Sequence, residues 1–459
     1  MKPASQPAGA QKDKLWLSIF AGLFGAVLGL TLLKFGNPPI MERFVTAPAE
    51  FWEFLLGYPW PIAWAYGLLV LVGVAGIRVA RWNSAAPRWL IALPLVWLVW
   101  QFIAGSQSVD PEMTRPTLKH FAACVLCFYL GYFSLSRVRR LWWFWLGLLG
   151  AFLMVLAFGW EQQLGGLKES RRYFFLYVYP QMKEVPPEYL KRISSDRIFS
   201  TLLYPNALAG VLILLLPATL AALWQPRKLF TAGARWFLIG SVGIAGLACL
   251  YWSGSKGGWL LMLALGLAAL LRVPFSLRLK IAVVMGVLLI GLAGFFWRHA
   301  GFFQKGATSV SARFDYWRAA AQTVREKPVF GTGPGTFAIA YQKVKRPESE
   351  MARLVHNDYL EQGSDSGVPG LVAYAVFIVA ALAWSFPRAG GARSAGFDDW
   401  QTFAVWLGVL GWCLQGFVEF GLYLPALAWP AFTLLGWLLG RKRPMQGLDP
   451  AARPNSPAP

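Results

Sequence analysis

Groups able to transfer a proton come together around His356, in the segment HNDYLE. His356 is the one histidine of this chain with strongly polar neighbours, and histidine is the side chain best suited to exchange a proton near neutral pH. If the segment is helical, Asn357 shares a face with Glu361, and one of them orients the imidazole; Asp358 is the alternative partner. The segment predicts a general base at His356 with these three as supporting residues, against the alternative of a solvated histidine at a membrane surface.

Three basic residues supply a second kind of chemistry. Arg197 and Lys256 stand at the ends of apolar stretches, and Arg313 stands at the start of an amphipathic segment. Cations that neutralise a pyrophosphate group favour both its binding and its departure as a leaving group. Taken with His356, the three predict a site for a lipid-linked pyrophosphate, although for each alone a phospholipid headgroup would be the favoured ligand.

The composition is that of a membrane protein. Of the 459 residues, 56% are hydrophobic and only 14% are charged, compared with roughly 25% charged residues in soluble domains. The formal net charge of +21 comes from short basic clusters between apolar stretches rather than from one basic face. This distribution argues against nucleic acid binding and indicates a chain that crosses the membrane several times, in contact with membrane lipids.

Twelve apolar stretches are long enough to cross a hydrocarbon core about 30 Å thick. They lie at about 15–33, 60–80, 88–105, 119–136, 141–160, 201–223, 236–252, 257–272, 279–297, 367–386, 402–420 and 425–440. The first stretch has no small-residue cleavage site after it, so we expect it to remain as a helix. The sequence predicts an all-α, polytopic integral membrane protein with a cytoplasmic tail at 1–14, a membrane domain at 15–443 and a disordered cytoplasmic tail at 444–459.

Every second connection between these stretches is rich in Lys and Arg, as short cytoplasmic connections are. This alternation predicts an inner-membrane protein with both termini in the cytoplasm, and with Arg140 and Arg388 on the cytoplasmic side. The two long connections, 161–200 and 298–366, are then periplasmic. The second lies between the ninth and tenth helices and carries His356, so we expect a periplasmic active site.

The 298–366 connection is predicted to be partly helical. From Ser311, the sequence SARFDYWRAAAQTVREKP predicts an amphipathic interfacial helix that ends before a proline. Its apolar stripe consists of Phe314, Trp317, Ala321 and Val324. The following GTGPGTF segment predicts a tight turn with structural glycines, because it has neither the Lys nor the preceding strand of a phosphate-binding loop.

No metal and no other cofactor is predicted. A metal-dependent enzyme acting on lipid-linked sugars is expected to carry a close acidic pair in its first outer connection, whereas 34–59 has only the separated Glu42, Glu50 and Glu53. The four cysteines lie inside apolar stretches, which is typical of helix packing. Few ionisable residues lie in the predicted spans, which disfavours a proton-coupled transporter.

Four blocks of this sequence resemble successive blocks of the O-antigen ligase and O-antigen polymerase superfamily. They are RIFSTLLYPNALAG, SGSKGGWL, RFDYW with EKPVFGTGPGTF, and HNDYLEQGSDSGVPG. The resemblance covers about 197–386. It implies an integral-membrane glycosyltransferase that moves a glycan from undecaprenyl pyrophosphate to the hydroxyl of an acceptor, such as lipid A core, without a metal.

The resemblance also implies roles for individual residues. His356 matches the family's essential histidine, and Arg313 matches the arginine of the same large loop. Lys256 stands where many members have arginine in an S-R-G block, and lysine lacks the bidentate fork of arginine. Arg197 opens the first block. By this resemblance His356 and Arg313 are catalytic, and Lys256, Arg313 and Arg197 bind the pyrophosphate.

Other functions fit the same residues. A polysaccharide polymerase uses a second lipid-linked repeat as its acceptor, and a protein O-oligosaccharyltransferase uses a protein hydroxyl. From a different class, a flippase or exporter of lipid-linked glycan would need a charged cavity through the helices, which the predicted spans disfavour.

Overall fold

A computed structural model describes residues 8–82, 84–181, 194–224, 230–272, 276–304, 308–347, 349–387 and 397–441. These ranges contain helices, turns and extended connections, and no β-strand occurs within them. The predicted all-α fold is thereby confirmed. The tail predicted at 444–459 lies outside the described residues, as does Arg388.

The α-helices of the described ranges are α1 (Ala8–Lys34), α2 (Phe51–Leu56), α3 (Ile62–Val79), α4 (Arg88–Gly105), α5 (Pro111–Tyr129), α6 (Trp142–Glu161), α7 (Leu167–Tyr173), α8 (Pro205–Trp224), α9 (Ala232–Ser253), α10 (Lys256–Arg272), α11 (Leu277–Gln304), α12 (Thr308–Glu326), α13 (Phe337–Val344), α14 (Asp358–Ser385), α15 (Phe397–Gln415) and α16 (Pro425–Gly440). Short π-helical turns follow α5, α6 and α7 at Leu130–Ser134, Gln162–Gly166 and Phe174–Val178. Single 3₁₀ turns occur at Pro39–Phe44, Leu135–Arg137, Tyr179–Gln181, Ser200–Leu202 and Gly421–Tyr423.

Nine helical segments within the described ranges are long and apolar enough to cross a membrane. They are Asp13–Lys34, Ile62–Val79, Arg88–Gly105, Pro111–Arg137, Trp142–Leu176, Pro205–Trp224, Ala232–Ser253, Leu277–Trp297 and Asp358–Ser385. Lys256–Leu270 and Pro425–Gly440 are shorter apolar helices, and α15 occupies the eleventh predicted stretch. The chain is therefore a multi-pass membrane protein. The count of twelve spans and their orientation remain predictions.

Several helices extend beyond the apolar stretches that predicted them. α1 begins at Ala8, inside the predicted tail, and α11 continues to Gln304. α14 begins at Asp358 rather than at 367, with a break in its helical backbone at Ser366 and Gly367. Hydropathy marks only the lipid-facing length of a helix, whereas the polar first turns of α14 are buried against protein.

Small residues bring α1 and α6 into close contact. A Cβ atom on Gly25 would lie 2.2 Å from the carbonyl oxygen of Phe144, and one on Gly147 would lie 2.5 Å from the backbone nitrogen of Ala26. Gly25 and Gly29 form a G-x-x-x-G pattern, which lets helix backbones approach closely where no hydrophobic effect drives packing. The backbones of α1 and α6 are therefore in direct contact.

The most buried face of α12 lies beside the predicted apolar stripe. Its protein-facing side chains are Tyr316, Ala319, Ala320 and Thr323. Phe314, on the predicted stripe, is 56% exposed. Periodicity identifies an apolar stripe, but it does not show whether the stripe packs against protein or faces lipid. The alanines of this helix allow burial on either side.

Candidate functional site

The backbone at His356 is held in an unusual conformation. Its φ angle is +56°, in the left-handed region that non-glycine residues seldom adopt. Asn357 follows as the N-cap of α14, and its side-chain oxygen accepts hydrogen bonds from the backbone nitrogens of Tyr359 (3.1 Å) and Leu360 (3.0 Å). Strained backbone of this kind persists where the surroundings determine it, and it is common at functional sites. The cap turns the His356 side chain away from the helix.

The imidazole of His356 contacts a carboxylate from a distant part of the chain. Nδ1 of His356 lies 3.3 Å from Oε2 of Glu419, in the connection between α15 and α16. The other oxygen of Glu419 accepts a hydrogen bond from the Arg313 guanidinium, and the Arg313 Nε donates to the carbonyl oxygen of Val418 at 3.0 Å. One carboxylate thus joins the predicted base to a predicted cation.

Asn206 extends this network to Arg197. The Asn206 side-chain nitrogen donates to Glu419 at 2.6 Å, and its oxygen accepts a hydrogen bond from Arg197 at 2.7 Å. The Arg197 Nε also donates to the carbonyl oxygen of Ser253 at 2.6 Å. The structure therefore brings His356, Arg313 and Arg197 together, with Glu419 at the centre.

The charged groups in this network shift the pKa values of their neighbours. Burial raises the pKa of the Glu419 carboxyl, but the positive charge of Arg313 and the contact with His356 outweigh burial, and the net pKa lies below the ordinary 4.5. Burial lowers the pKa of Arg197; Glu419 opposes this shift and Arg313 adds to it. An arginine remains protonated in proteins despite such a shift. At neutral pH, Glu419 is therefore a carboxylate between charged neighbours.

Three aromatic side chains surround His356. The Phe420 ring meets the imidazole edge-on, with centroids 4.7 Å apart, and the Tyr316 ring lies at 5.8 Å. The Trp317 indole nitrogen donates to the backbone carbonyl of His356 at 3.4 Å. These contacts restrict rotation of the imidazole and leave one side of it open.

That side faces a cavity of about 440 Å³. The cavity is bordered by the connection between α1 and α3, by the segment before α8, and by the segments around His356 and Glu419. Its lining residues are Pro38, Ile40, Met41, Ser195, Arg197, Phe199, Tyr204, Pro205, Asn206, Tyr316, Glu350, Met351, Ala352, Arg353, Leu354, His356, Glu419 and Phe420. The volume is in the range of small-ligand sites.

Lys256 and Arg313 are not among the cavity-lining residues. Lys256 is the first residue of α10, half-buried at the turn that also carries Gly254. Two glycines beside it show what surrounds it: a Cβ on Gly257 would lie 3.5 Å from the Val418 side chain, and one on Gly254 would lie 3.2 Å from the Arg197 guanidinium. The α10 N-terminus thus lies between the Arg197 and Val418 side chains.

The predicted supporting residues hold backbone instead of the imidazole. Both Asp358 oxygens accept hydrogen bonds from the Leu422 nitrogen, at 3.0 and 3.2 Å. Glu361 accepts one from the Val355 nitrogen at 3.2 Å, and the Asn357 amide donates to the Phe417 carbonyl oxygen at 2.9 Å. The expected helical face did not form because α14 begins after His356. These side chains position the segments that carry His356 and Glu419.

The glycine-rich turn has the structural role that was predicted for it. Gly331 has a φ of +63°, and a Cβ there would lie 2.3 Å from the carbonyl oxygen of Ser364. The backbone nitrogen of Gly335 donates to the Asp365 carboxylate at 2.8 Å, and the Tyr423 hydroxyl donates to the same oxygen at 2.7 Å. The turn thus fastens the first turns of α14 to the segment after Glu419.

Glu419 was missed in the sequence reasoning because it stands at the end of a predicted span. It is nevertheless the one Asp, Glu, Lys, Arg or His residue between 402 and 440. An isolated carboxylate at the end of a membrane helix indicates function by default, because it is costly to bury without a partner. That signal was present in the sequence, but the identity of the partner was not.

Two comparisons with known proteins found similar sequences. Residues 241–375 match the family described as O-antigen ligase, and that segment contains Lys256, Arg313 and His356. An uncharacterized protein of Haemophilus influenzae is 28% identical over 150 residues, which cover 28% of this chain and 38% of that relative. The chain therefore spans less than half the length of the curated relative it matches. The resemblance drawn from the sequence blocks is confirmed over residues 241–375, which are similar to the family described as O-antigen ligase.

Proposed function

We propose that this chain is a membrane glycosyltransferase that moves a glycan from undecaprenyl pyrophosphate to an acceptor hydroxyl at the periplasmic face of the inner membrane, without a metal. The single observation that carries the proposal is the pairing of His356 with Glu419 beside a cavity that Arg197 lines. Lipid A core, or another hydroxyl-bearing glycan, is the proposed acceptor. The family match supports the reaction class.

His356 is the proposed general base. The ionised Glu419 can only accept a hydrogen bond, so the imidazole carries its proton on Nδ1 and has its basic lone pair on Nε2. No described residue hydrogen-bonds to Nε2. The acceptor hydroxyl gives its proton to Nε2 while its oxygen bonds to the anomeric carbon. The bond from that carbon to the phosphate oxygen breaks, and undecaprenyl pyrophosphate leaves with the electron pair.

The three cations have different proposed roles at the pyrophosphate. Arg197 lines the cavity, and its Nη1 makes no hydrogen bond to a described residue, so it is the proposed direct ligand. Arg313 holds Glu419 and adds positive charge close to the leaving group. Lys256, next to both, is the proposed second ligand. Charge placed where negative charge develops is commonly the largest contribution to catalysis.

The exporter alternative needs charged groups along a path through the helices. Within α14, the buried carboxylates Asp358, Glu361 and Asp365 accept hydrogen bonds from the Leu422, Val355 and Gly335 backbone nitrogens, respectively. Carboxylates engaged in this way fasten loops to a helix. Their contacts support an enzyme over an exporter.

Purified protein with an undecaprenyl-pyrophosphate-linked oligosaccharide and an acceptor tests the proposal directly. We expect release of undecaprenyl pyrophosphate together with a glycosylated acceptor. Deletion of the gene then separates the variants of the reaction: accumulation of lipid-linked polymer indicates a ligase, and accumulation of single repeats indicates a polymerase. Donor carried across vesicles with no bond cleaved would instead establish the exporter.

A further inference from the structure

We propose that Arg43, Phe44 and Arg353 form a separate subsite for a negatively charged sugar of the acceptor. Calling the bound sugar part of the acceptor rests on the proposed function. The inference that an acidic saccharide binds here does not rest on it. The subsite lies at the wall of the cavity formed by the first outer connection and the 349–354 segment. It is distinct from the Arg197–Glu419 network.

Two guanidinium groups converge on one exposed ring. The guanidinium carbon of Arg43 lies 4.8 Å from the centroid of the Phe44 ring, and that of Arg353 lies 5.3 Å from the same centroid. The two arginines come from segments about 310 positions apart in the sequence. Phe44 is nevertheless 58% exposed, so the ring is open to a ligand while the cations stay close to it.

The location connects this cluster with the reaction. Arg353 lines the same cavity as His356, three residues away along the chain. On the other side, Ile40 and Met41 line the cavity just before Arg43. The Glu42 side chain accepts a hydrogen bond from the Ile62 nitrogen at 2.8 Å, which holds this connection against the start of α3. A saccharide on Phe44 would therefore extend into the cavity toward the imidazole.

The chemistry of the cluster selects an acidic sugar. Guanidinium groups bind carboxylates and phosphates in a planar, bidentate way, and an aromatic face suits the apolar side of a sugar ring. The chain from 298 to 357 carries ten Lys and Arg residues against four Asp and Glu residues, a net charge of +6. Two acids line the cavity, Glu350 and Glu419, and Glu419 pairs with Arg313. Such an excess attracts anionic ligands.

The probes are two soluble oligosaccharides of equal length, pentagalacturonate and the neutral maltopentaose, titrated into the full chain purified in detergent. We expect pentagalacturonate to bind more tightly than maltopentaose, with an affinity that falls as salt is added. Arg353→Ala and Arg43→Ala should each weaken the binding of pentagalacturonate about tenfold. Arg353→Lys should weaken it less, and Phe44→Ala should weaken the binding of both probes. Arg115→Ala is the matched control: this arginine is also exposed and pairs with Glu112 at the start of α5, and it should bind as the unmodified protein does.

Each contrary result overturns the subsite. Equal affinity for the two probes, unchanged binding in Arg353→Ala, or an equal loss in Arg115→Ala would do so. Titrations in phosphatidylcholine nanodiscs with and without phosphatidylglycerol add a further arm, in which displacement of the probe by the anionic lipid would assign the arginines to lipid headgroups. Donor cleavage with a small alcohol as acceptor separates the two proposals. It should persist in Arg115→Ala and fail in His356→Ala, so its absence in the unmodified protein would count against the proposed function and leave the subsite standing.

Discussion

His356 Nδ1 and Glu419 Oε2 lie 3.3 Å apart although the two residues are 63 positions apart in the sequence. Each is held by its own anchors: Asn357 caps the helix that follows His356, and Asp358 fixes the Leu422 nitrogen three residues after Glu419. The imidazole and the carboxylate are thus positioned by one short stretch of α14. Replacing His356 or Glu419 should therefore change the position of the other side chain while the fold stays intact.

Replacing His356 by alanine should nearly abolish glycan transfer while the lipid-linked donor still binds. A general base contributes about 10²–10⁴-fold to a rate, whereas the proposed phosphate ligands are other residues. Turnover and donor affinity of the purified variant should be measured separately. Full activity per molecule, with a reduced amount of folded protein, would show that the histidine serves packing alone.

Replacing Glu419 by glutamine should lower turnover by about 10²-fold or more, because loss of a carboxylate that fixes a catalytic imidazole costs up to about 10⁴-fold elsewhere. Donor affinity should change much less. Asn206→Ala is the comparison, since it removes a neighbour of the same carboxylate but leaves the charge. Equal rates in Glu419→Gln and the unmodified protein would rule out an orienting role.

The pH dependence of stability should also report on Glu419. Its pKa is below the ordinary 4.5 in the folded protein, so the carboxylate contributes stability that is present above 4.5 and is lost as the pH falls through the folded value. Glu419→Gln should therefore lower the Tm at neutral pH and reduce its fall on acidification below 4.5. Parallel Tm curves for the two proteins across this window would contradict the assignment.

Lys256→Arg should retain much of the activity, because arginine can supply the same charge to a phosphate, and Lys256→Ala should lose it. Arg197→Lys should lose more than Lys256→Arg, since two guanidinium hydrogen bonds hold Arg197 to Asn206 and Ser253. Donor KM and kcat should be determined for each variant. A normal KM in both Lys256→Ala and Arg197→Ala would remove these cations from donor binding.

Single cysteines at position 343 and position 140 should react from opposite sides of the membrane. Lys343 and Arg140 are both exposed, and the four native cysteines are buried, which limits background labelling. With a membrane-impermeant thiol reagent on intact spheroplasts, we expect Lys343→Cys to react and Arg140→Cys to be protected. The reverse pattern would invert the topology and move the site to the cytoplasm.

Transfer by the purified protein should survive EDTA, since the proposed reaction relies on Arg197, Lys256 and His356 for charge and proton transfer. Activity should be compared before and after chelation, and again after addition of Mg²⁺ or Mn²⁺. Loss on chelation with recovery on either ion would overturn the metal-free mechanism. Asp358, Glu361 and Asp365 would then be the first carboxylates to replace, because hard divalent ions favour oxygen ligands.

The sequence by itself determined the membrane character, the all-α fold and much of the site. Long apolar stretches require helices, because a membrane offers no partner for an unpaired backbone group. His356 stood out from His120 by its polar neighbours; His120 is indeed a packing residue, fully buried with its ring nitrogens held by Leu422 and Trp429. The family resemblance could be seen in the sequence because each of its motifs is a short, continuous segment.

Only the tertiary structure decided which groups meet. Glu419 and Asn206 reach the site from two other segments, and no periodicity in one segment reveals a partner in another. Helical spacing from His356 suggested Asn357, Asp358 or Glu361 as the orienting group, but His356 has a left-handed backbone and lies before the helix, which begins at Asp358, and its side chain contacts Glu419 instead. The buried face of α12 was settled in the same way, because packing against Tyr341 and the residues before His356 outweighed the apolar stripe that the sequence displays.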